Sequence, residues 1–372
     1  MRETSFMTDV RQWTAPGRVN LIGEHLDYNG GPVLPIAINR SLRLKARLRN
    51  DDIVRVWTTL GGNQSAEFTT AVQPGEVTDW AACVAGVFWA LAEQGRAIPG
   101  ADLVIDGDLA SGAGLSSSAA VEAVVATALN DLLGLGIDRI DLALLCQRAE
   151  NDFAGVPTGI MDQLAVLNGE RGKALLIDLL PERPTIETVD ANWADAGLSL
   201  VVIDTMTRHD LGDGRYAERR EECRQAADAL GLEQLAAAGP DAVLKLDDDV
   251  LKARTRHVIT ETARVRGAVR ALRTGNWTQF GSMLTASHAS LRDDFAVSRM
   301  ELDIAVEASI EAGAFGARMT GGGFGGSAIA LVDASLRAEL ADKVTSRFAF
   351  HQFAAPEFFT VEAADGAREI RP

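Results

Sequence analysis

The sequence is poor in cysteine: among its 372 residues only Cys83, Cys146 and Cys223 occur. They are far apart, odd in number and never spaced CxxC. That argues against a disulfide framework or a zinc site and leaves buried, reduced thiols. Long apolar runs are missing as well, since no uncharged stretch reaches the ~18 residues that suggest a membrane span. The N-terminal stretch MRETSFMTDVRQW lacks the apolar segment of a secretory signal. Positive charge is in deficit, with Lys+Arg 36 against Asp+Glu 52 and a formal net charge of −16. An acidic surface repels phosphate backbones and anionic lipid, so nucleic acid and membrane are not expected partners. A small anionic substrate feels only its own pocket and is not excluded. The expectation is a cytoplasmic monomer that acts on small molecules.

What is present is ordinary for a folded protein. Hydrophobic residues make up 47% and charged residues 24%, which rules out wholesale disorder. The length fits about two domains of roughly 100–200 residues each. Along the chain, 18–22 reads as a strand, 23–31 as a polar loop and 32–38 as another strand. The alternating LRLKARL at 42–48 reads as a half-buried strand that 53–58 is expected to pair with. An apolar helix is predicted over 80–93 and a strand over 101–108. Further helices are predicted over 116–133 and 140–151, the latter broken by a Gly-Pro loop at 155–157, and a buried strand over 174–179. A boundary falls near 181–195, giving units 1–190 and 191–372. Beyond it lie a strand at 198–203, a charged helix at 217–230, a helix-rich middle, a glycine cluster at 321–326 and a strand at 327–332. Strands and helices mix without regular βαβ alternation, which favours a two-domain α+β fold over a Rossmann fold or a TIM barrel.

Three motifs carry chemistry. GAGLSSSAA (112–120) stands between a strand and a helix. Its glycines let backbone approach a ligand, and a helix N-terminus presents free N–H groups to an anion. The plain alternative is a capped, tightly packed helix start. No Walker A pattern occurs in the chain, and Ser117 stands where the third glycine of GxGxxG belongs, which weakens a nicotinamide dehydrogenase. GRVNLIGEHLDY (17–28) gathers Arg18, Glu24, His25 and Asp27, a set able to grip a polyhydroxylated ligand or to sit as an ordinary solvated turn. It is not HExxH, so zinc hydrolysis has no support. TGGGFGG (320–326) disfavours any regular element and suits close passage beside a ligand or another backbone, or a flexible loop.

Together these residues supply the parts of a phosphoryl transfer to an alcohol. The glycine-serine loop cradles phosphates, and Ser118 with Glu150 can hold Mg²⁺. Arg18 supplies positive charge, and Asp162, in GIMDQ, can take or orient the hydroxyl proton.

At these residues the chain resembles the galactokinases of the GHMP kinase superfamily. PGRVNLIGEHLDYNGG is similar to the galactokinase signature, GLSSSAA to the superfamily's phosphate loop and TGGGFGG to its third motif. GIMDQ, RYAERREEC and SHASLRDDFAVSRMELD add to the likeness, which runs from about Ala15 to Val332. The resemblance implies a two-domain GHMP-kinase-like fold with the active site in the cleft between domains. It also implies ATP-dependent phosphorylation of the C1 hydroxyl of galactose. On it, Arg18 and Asp162 are the catalytic pair. Glu24, His25, Asp27, Gly159 and Tyr216 contact the sugar. Gly112, Gly114, Leu115, Ser116, Ser117 and Ser118 hold the ATP phosphates, Trp80 lines the adenine pocket or is simply a core helix residue, and Ser118 and Glu150 ligate Mg²⁺.

One departure stands out: Leu26 replaces the threonine usual in GEHTDY, and alternation along the turn points it away from the ligand. Mevalonate and homoserine kinases do not need a Glu-His-x-Asp cluster, which argues against them. A kinase for N-acetylgalactosamine or arabinose stays open. So does a non-catalytic galactose and ATP sensor, although such sensors have a damaged phosphate loop and this one is intact.

Overall fold

Two antiparallel-rich sheets organise the chain, and each buries one face under helices. The computed structural model describes residues 10–109, 114–207 and 214–371. The first sheet begins with β1 (Arg11–Asn20), β2 (Pro35–Leu48), β3 (Ile53–Thr58), β4 (Gln64–Thr69) and β5 (Ala101–Gly107). A small hairpin follows from β6 (Lys173–Asp178) and β7 (Thr185–Asp190). The second sheet is built from β8 (Leu198–Asp204), β9 (Gly316–Thr320), β10 (Ser327–Asp333) and β11 (Glu357–Val361), in the order β11-β8-β10-β9. The last strand, β12 (Arg368–Glu369), returns to the first sheet, whose order is β12-β1-β2-β5-β3-β4.

Helices α1 (Trp80–Glu93), α2 (Ser117–Leu133), α3 (Arg139–Arg148) and α4 (Met161–Asn168) belong to the first half. The second half carries α5 (Arg215–Leu230), α6 (Asp249–Arg273), α7 (Trp277–Asp293), α8 (Met300–Glu311) and α9 (Arg337–Phe350). Helices α2 and α4 lie on β1 and β2, whereas α7 and α8 cover β9. The core is continuous between the halves, running from Trp13, Val19 and Leu21 through Leu164 to Phe295, Met319 and Ile329. Among the described residues no helix is long and apolar enough to cross a membrane.

Several expectations need correcting. The strand expected over 18–22 ends at Asn20, and Leu21 and Ile22 are buried beyond it. The strands expected at 32–38 and 42–48 are one element, β2, because β1 pairs with it along its length across a bulge between Pro16 and Arg18. Residues 53–58 do not pair with 42–48. Strand β5 lies between them, antiparallel to β2 and parallel to β3. A parallel pair needs a crossover, and α1 provides it. The helix expected over 140–151 is α3 followed by a π-turn at Ala149–Phe153. The interrupted stretch 181–195 contains β7.

Candidate active site

Arg18 stands near the end of β1, just past the bulge, and its neighbour must be glycine. A Cβ on Gly17 would lie 2.8 Å from the Leu115 carbonyl oxygen and 2.5 Å from the Leu109 side chain. That closeness lets the Arg18 backbone N–H donate to the Leu115 carbonyl at 3.1 Å, and its Nη1 to the Gly114 carbonyl at 2.6 Å. The other edge of the guanidinium grips Asp162, in the first turn of α4. Nε donates to Oδ1 and Nη2 to Oδ2, both at 2.7 Å. Such a two-pronged pair fixes orientation as well as charge. Ser116, the residue before α2, has a left-handed backbone (φ 58°). Its hydroxyl donates to Asp162 Oδ2. Arg18 is 5% exposed, whereas the Asp162 side chain keeps 28% of its surface open. The carboxylate is the more open half of the pair.

At the second residue of α2, Ser118 donates to Glu150 Oε1 at 2.8 Å. Glu150 Oε2 accepts from Thr158 at 3.0 Å and from the Gln163 amide at 2.6 Å. Burial pushes the Glu150 carboxyl above its ordinary value, against the hydrogen bond from Ser118. A nearby cation would offset that cost. The donor set is hard oxygen, which fits Mg²⁺, an ion commonly held by one or two protein groups plus phosphates and water. Gly112 lies outside the described residues. Gly114 does not: a Cβ there would lie 3.8 Å from the Thr320 carbonyl oxygen and 3.9 Å from the Ser327 nitrogen. The phosphate loop and the third glycine motif therefore touch.

The turn after β1 completes the cleft. Leu26 is fully buried and stacks under Gly31, so it points away from the cleft as expected. The Asp27 carboxylate lies against Gly159, where an added Cβ would sit 1.7 Å from Oδ2. It accepts from the backbone N–H of Tyr28 and of Met161, the residue before Asp162. Burial lifts its pKa to about 6, with the Asp162 charge adding to the effect. His25 Nδ1 faces the Tyr28 hydroxyl at 2.9 Å, while Nε2 is buried without a partner. Burial, then His257, lowers the His25 pKa to about 3, so the ring is neutral. Tyr216, in the first turn of α5, places its ring centroid 5.5 Å from that of His25 and 5.7 Å from that of Tyr28. Gly322 of the third motif lies directly beneath it. Burial raises the Tyr216 hydroxyl well above its ordinary pKa, and Asp27 and Asp162 add to the rise.

Arg18, Asp162, the serine-bearing start of α2 and the Glu24–Asp27 turn thus lie together, the turn joined to α4 by the Asp27–Met161 contact. Sequence comparisons show the family. The galactokinase galactose-binding signature matches residues 3–47, GHMP kinases N terminal domain residues 82–170 and GHMP kinases C terminal residues 268–349. A galactokinase of Streptomyces coelicolor is 43% identical over 366 residues, covering 96% of this chain and 94% of that protein. The chain belongs to the galactokinase family. A galactokinase of Mycobacterium tuberculosis is 42% identical over 362 residues, covering 96% of this chain and 98% of its own. Among solved structures, Lactococcus lactis galactokinase complexed with galactose gives a TM-score of 0.90 at 34% identity, covering 98% of this chain and 96% of that one. Methanococcus jannaschii mevalonate kinase, at 18% identity and a TM-score of 0.68, shares the fold.

Within this galactokinase fold the cleft also holds residues that the motifs do not bring out. Arg318, Asn20 and Gly321 all bind Glu24, and Thr158 and Gln163 bind Glu150. Behind the turn, Glu261 accepts from the Gly23 N–H at 2.9 Å, and His257 Nε2 meets the Glu24 carbonyl at 3.2 Å. The sequence does hold a signal for Arg318, since it is the lone charge in a strand that is otherwise apolar or small. Trp80 opens α1 half-buried against the core. Ser117 is half-buried at the start of α2.

Proposed function

We propose that the chain transfers the γ-phosphoryl group of ATP to the C1 hydroxyl of α-D-galactose, giving galactose 1-phosphate and ADP. The observation that carries this reading is the Arg18–Asp162 pair, held between the serine-bearing start of α2 and the Glu24–Asp27 turn.

Asp27, Glu24, neutral His25 and Tyr216 grip the sugar hydroxyls from the turn and α5, with Gly159 leaving room for the Asp27 carboxylate. This orients C1–OH at the open face of Asp162, which receives the hydroxyl proton as the new O–P bond forms. The C1 oxygen attacks the γ-phosphorus and the bond to the β-phosphate oxygen breaks. Arg18 offsets the negative charge that builds on the transferred group. Backbone and hydroxyls at Gly114, Leu115, Ser116, Ser117 and Ser118 hold the phosphates, and Trp80 borders the adenine. Ser118 and Glu150 would hold Mg²⁺, which when bound neutralises phosphate charge.

We further propose a cytoplasmic monomer whose halves, 1–190 and 191–372, meet at this cleft. The acidic balance and the three unpaired cysteines support that setting. A sugar panel with ATP and Mg²⁺ tests the function, scored for which sugar is phosphorylated and at which carbon. Galactose 1-phosphate is the expected product. A preference for N-acetylgalactosamine or arabinose would move the reading to a related sugar kinase. Galactose binding without any ADP release would leave only a sensor.

A further inference from the structure

Arg318 lies in the middle of β9 with a fully buried side chain, and its partner Glu24, in the turn after β1, is 2% exposed. Nη2 approaches Glu24 Oε2 at 2.5 Å, and Nη1 donates to the Leu21 carbonyl at 3.0 Å. Glu24 Oε2 also accepts from the Asn20 amide at 2.7 Å, while Oε1 accepts from the Gly321 N–H at 2.9 Å. The two hydrogen bonds take one acceptor position on each carboxylate oxygen, and the guanidinium pairs with Oε2 by charge alone, which leaves acceptor capacity for a ligand hydroxyl.

Two charges taken this far out of water stabilise a fold poorly, since desolvation offsets much of their attraction. A pair of apolar side chains would fill the same space at no such cost. What an ion pair supplies and an apolar pair does not is a fixed, ionised oxygen. Burial drives Glu24 toward protonation, and the Arg318 charge is the largest effect opposing it. A protonated Glu24 would present a donor where a sugar hydroxyl needs an acceptor.

We infer that Arg318 is a positioning residue of the sugar site, acting through Glu24 and making the strand that enters the glycine-rich loop part of sugar recognition. The inference rests on the reading of Glu24 as a sugar ligand. Arg318 touches no substrate itself. The third motif thereby serves both substrates: its Thr320 and the adjoining Ser327 border Gly114 of the phosphate loop, and its Gly321 and the preceding Arg318 hold the sugar carboxylate.

The test starts from the unaltered full chain, assayed on the sugar it phosphorylates best. If that sugar is not galactose, the function reading falls and the Arg318 test is run on the preferred sugar. Arg318→Lys keeps the charge and loses the planar fork, so the sugar KM should rise about ten-fold. KM for ATP and kcat should change less than about two-fold, and the acid limb of kcat/KM for sugar should move to higher pH as Glu24 protonates more readily. In a Glu24→Gln background, Arg318→Met should add less than about two-fold to the sugar KM, because the two residues act as one unit. The paired neutral variant also buries no lone charge, so it carries the test if Arg318→Lys fails to fold. An unchanged sugar KM in Arg318→Lys would overturn the proposal. So would an equal rise in the KM for ATP, or a further several-fold rise on adding Arg318→Met to Glu24→Gln.

Discussion

Asp27 and Gly159 are in contact so close that a side chain at 159 needs the carboxylate to move: a Cβ there would lie 1.7 Å from Asp27 Oδ2 and 2.2 Å from Cγ. Gly159→Ala must therefore displace the Asp27 carboxylate from its backbone donors at Tyr28 and Met161. The sugar KM should rise by about ten- to a hundred-fold, the worth of one charged hydrogen bond. Steady-state kinetics at saturating ATP check this, and a normal sugar KM would remove Asp27 from the pocket.

The pH profile should carry the same carboxyl. Burial, and then the Asp162 charge, raises Asp27 from 3.8 to about 6. Below that value the group is protonated and loses its acceptor, so galactose binding should weaken as pH falls through about 6. In Asp162→Asn the second cause is gone, and the acid limb of galactose binding should move to lower pH. The sign for stability follows from the proton that the folded state holds more tightly. The contribution is fully present below 3.8 and is lost as pH rises through about 6. Asp27→Asn should therefore gain thermal stability relative to the parent between about pH 4 and pH 7. A constant difference across that range would refute the shift.

Asp162→Ala should bind galactose while kcat falls by about 10²- to 10⁴-fold, the usual worth of a positioned proton acceptor. Galactose-induced thermal shift separates binding from turnover. The variant also leaves the buried Arg18 guanidinium without its carboxylate, so a lower melting temperature is expected alongside. Near-normal turnover would exclude Asp162 from the chemistry.

Ser118→Ala removes the hydroxyl that meets Glu150 at 2.8 Å. The Mg²⁺ concentration for half-maximal rate should rise roughly ten-fold, with the sugar KM unaffected. A Mg²⁺ titration at fixed ATP reads this directly.

Leu26→Thr restores the threonine usual in related sequences at a fully buried position. Its side chain faces the core, so the sugar KM should stay at the parent value. Stability should drop by about 1–3 kcal/mol from lost apolar burial and a newly buried hydroxyl, measured by denaturant midpoint.

Much of this is legible in the sequence because each part announces itself locally. The run WAACVAGVFWALAE forms α1 from its first residue to its last, since nothing in it competes with a buried helix. Arg18 and Asp162 can be put together from their motifs alone, because phosphoryl transfer requires a cation and a proton acceptor at one point. Partner choice is less visible. Alternation tells which face of 53–58 is buried and not which strand lies beside it, so the place of β5 between β2 and β3 cannot be read from the pattern. Arg318 shows as a lone charge in its strand, but its role stays hidden because it depends on a carboxylate 294 positions away, and burial of both is a property of the assembled halves. The two residues of β12 carry no pattern that signals their return.

That return has a consequence for folding. Trp13 and Thr14 of β1 pair with Glu369 and Arg368, and Ala364, Gly366 and Ala367 bond to Ala37, Gly169 and Val166. The edge next to the strand that carries Arg18, and the far end of the helix that carries Asp162, are finished by residues 364–369, from the opposite half of the chain. The first sheet therefore closes through pairings of very long sequence separation, the kind that forms slowest.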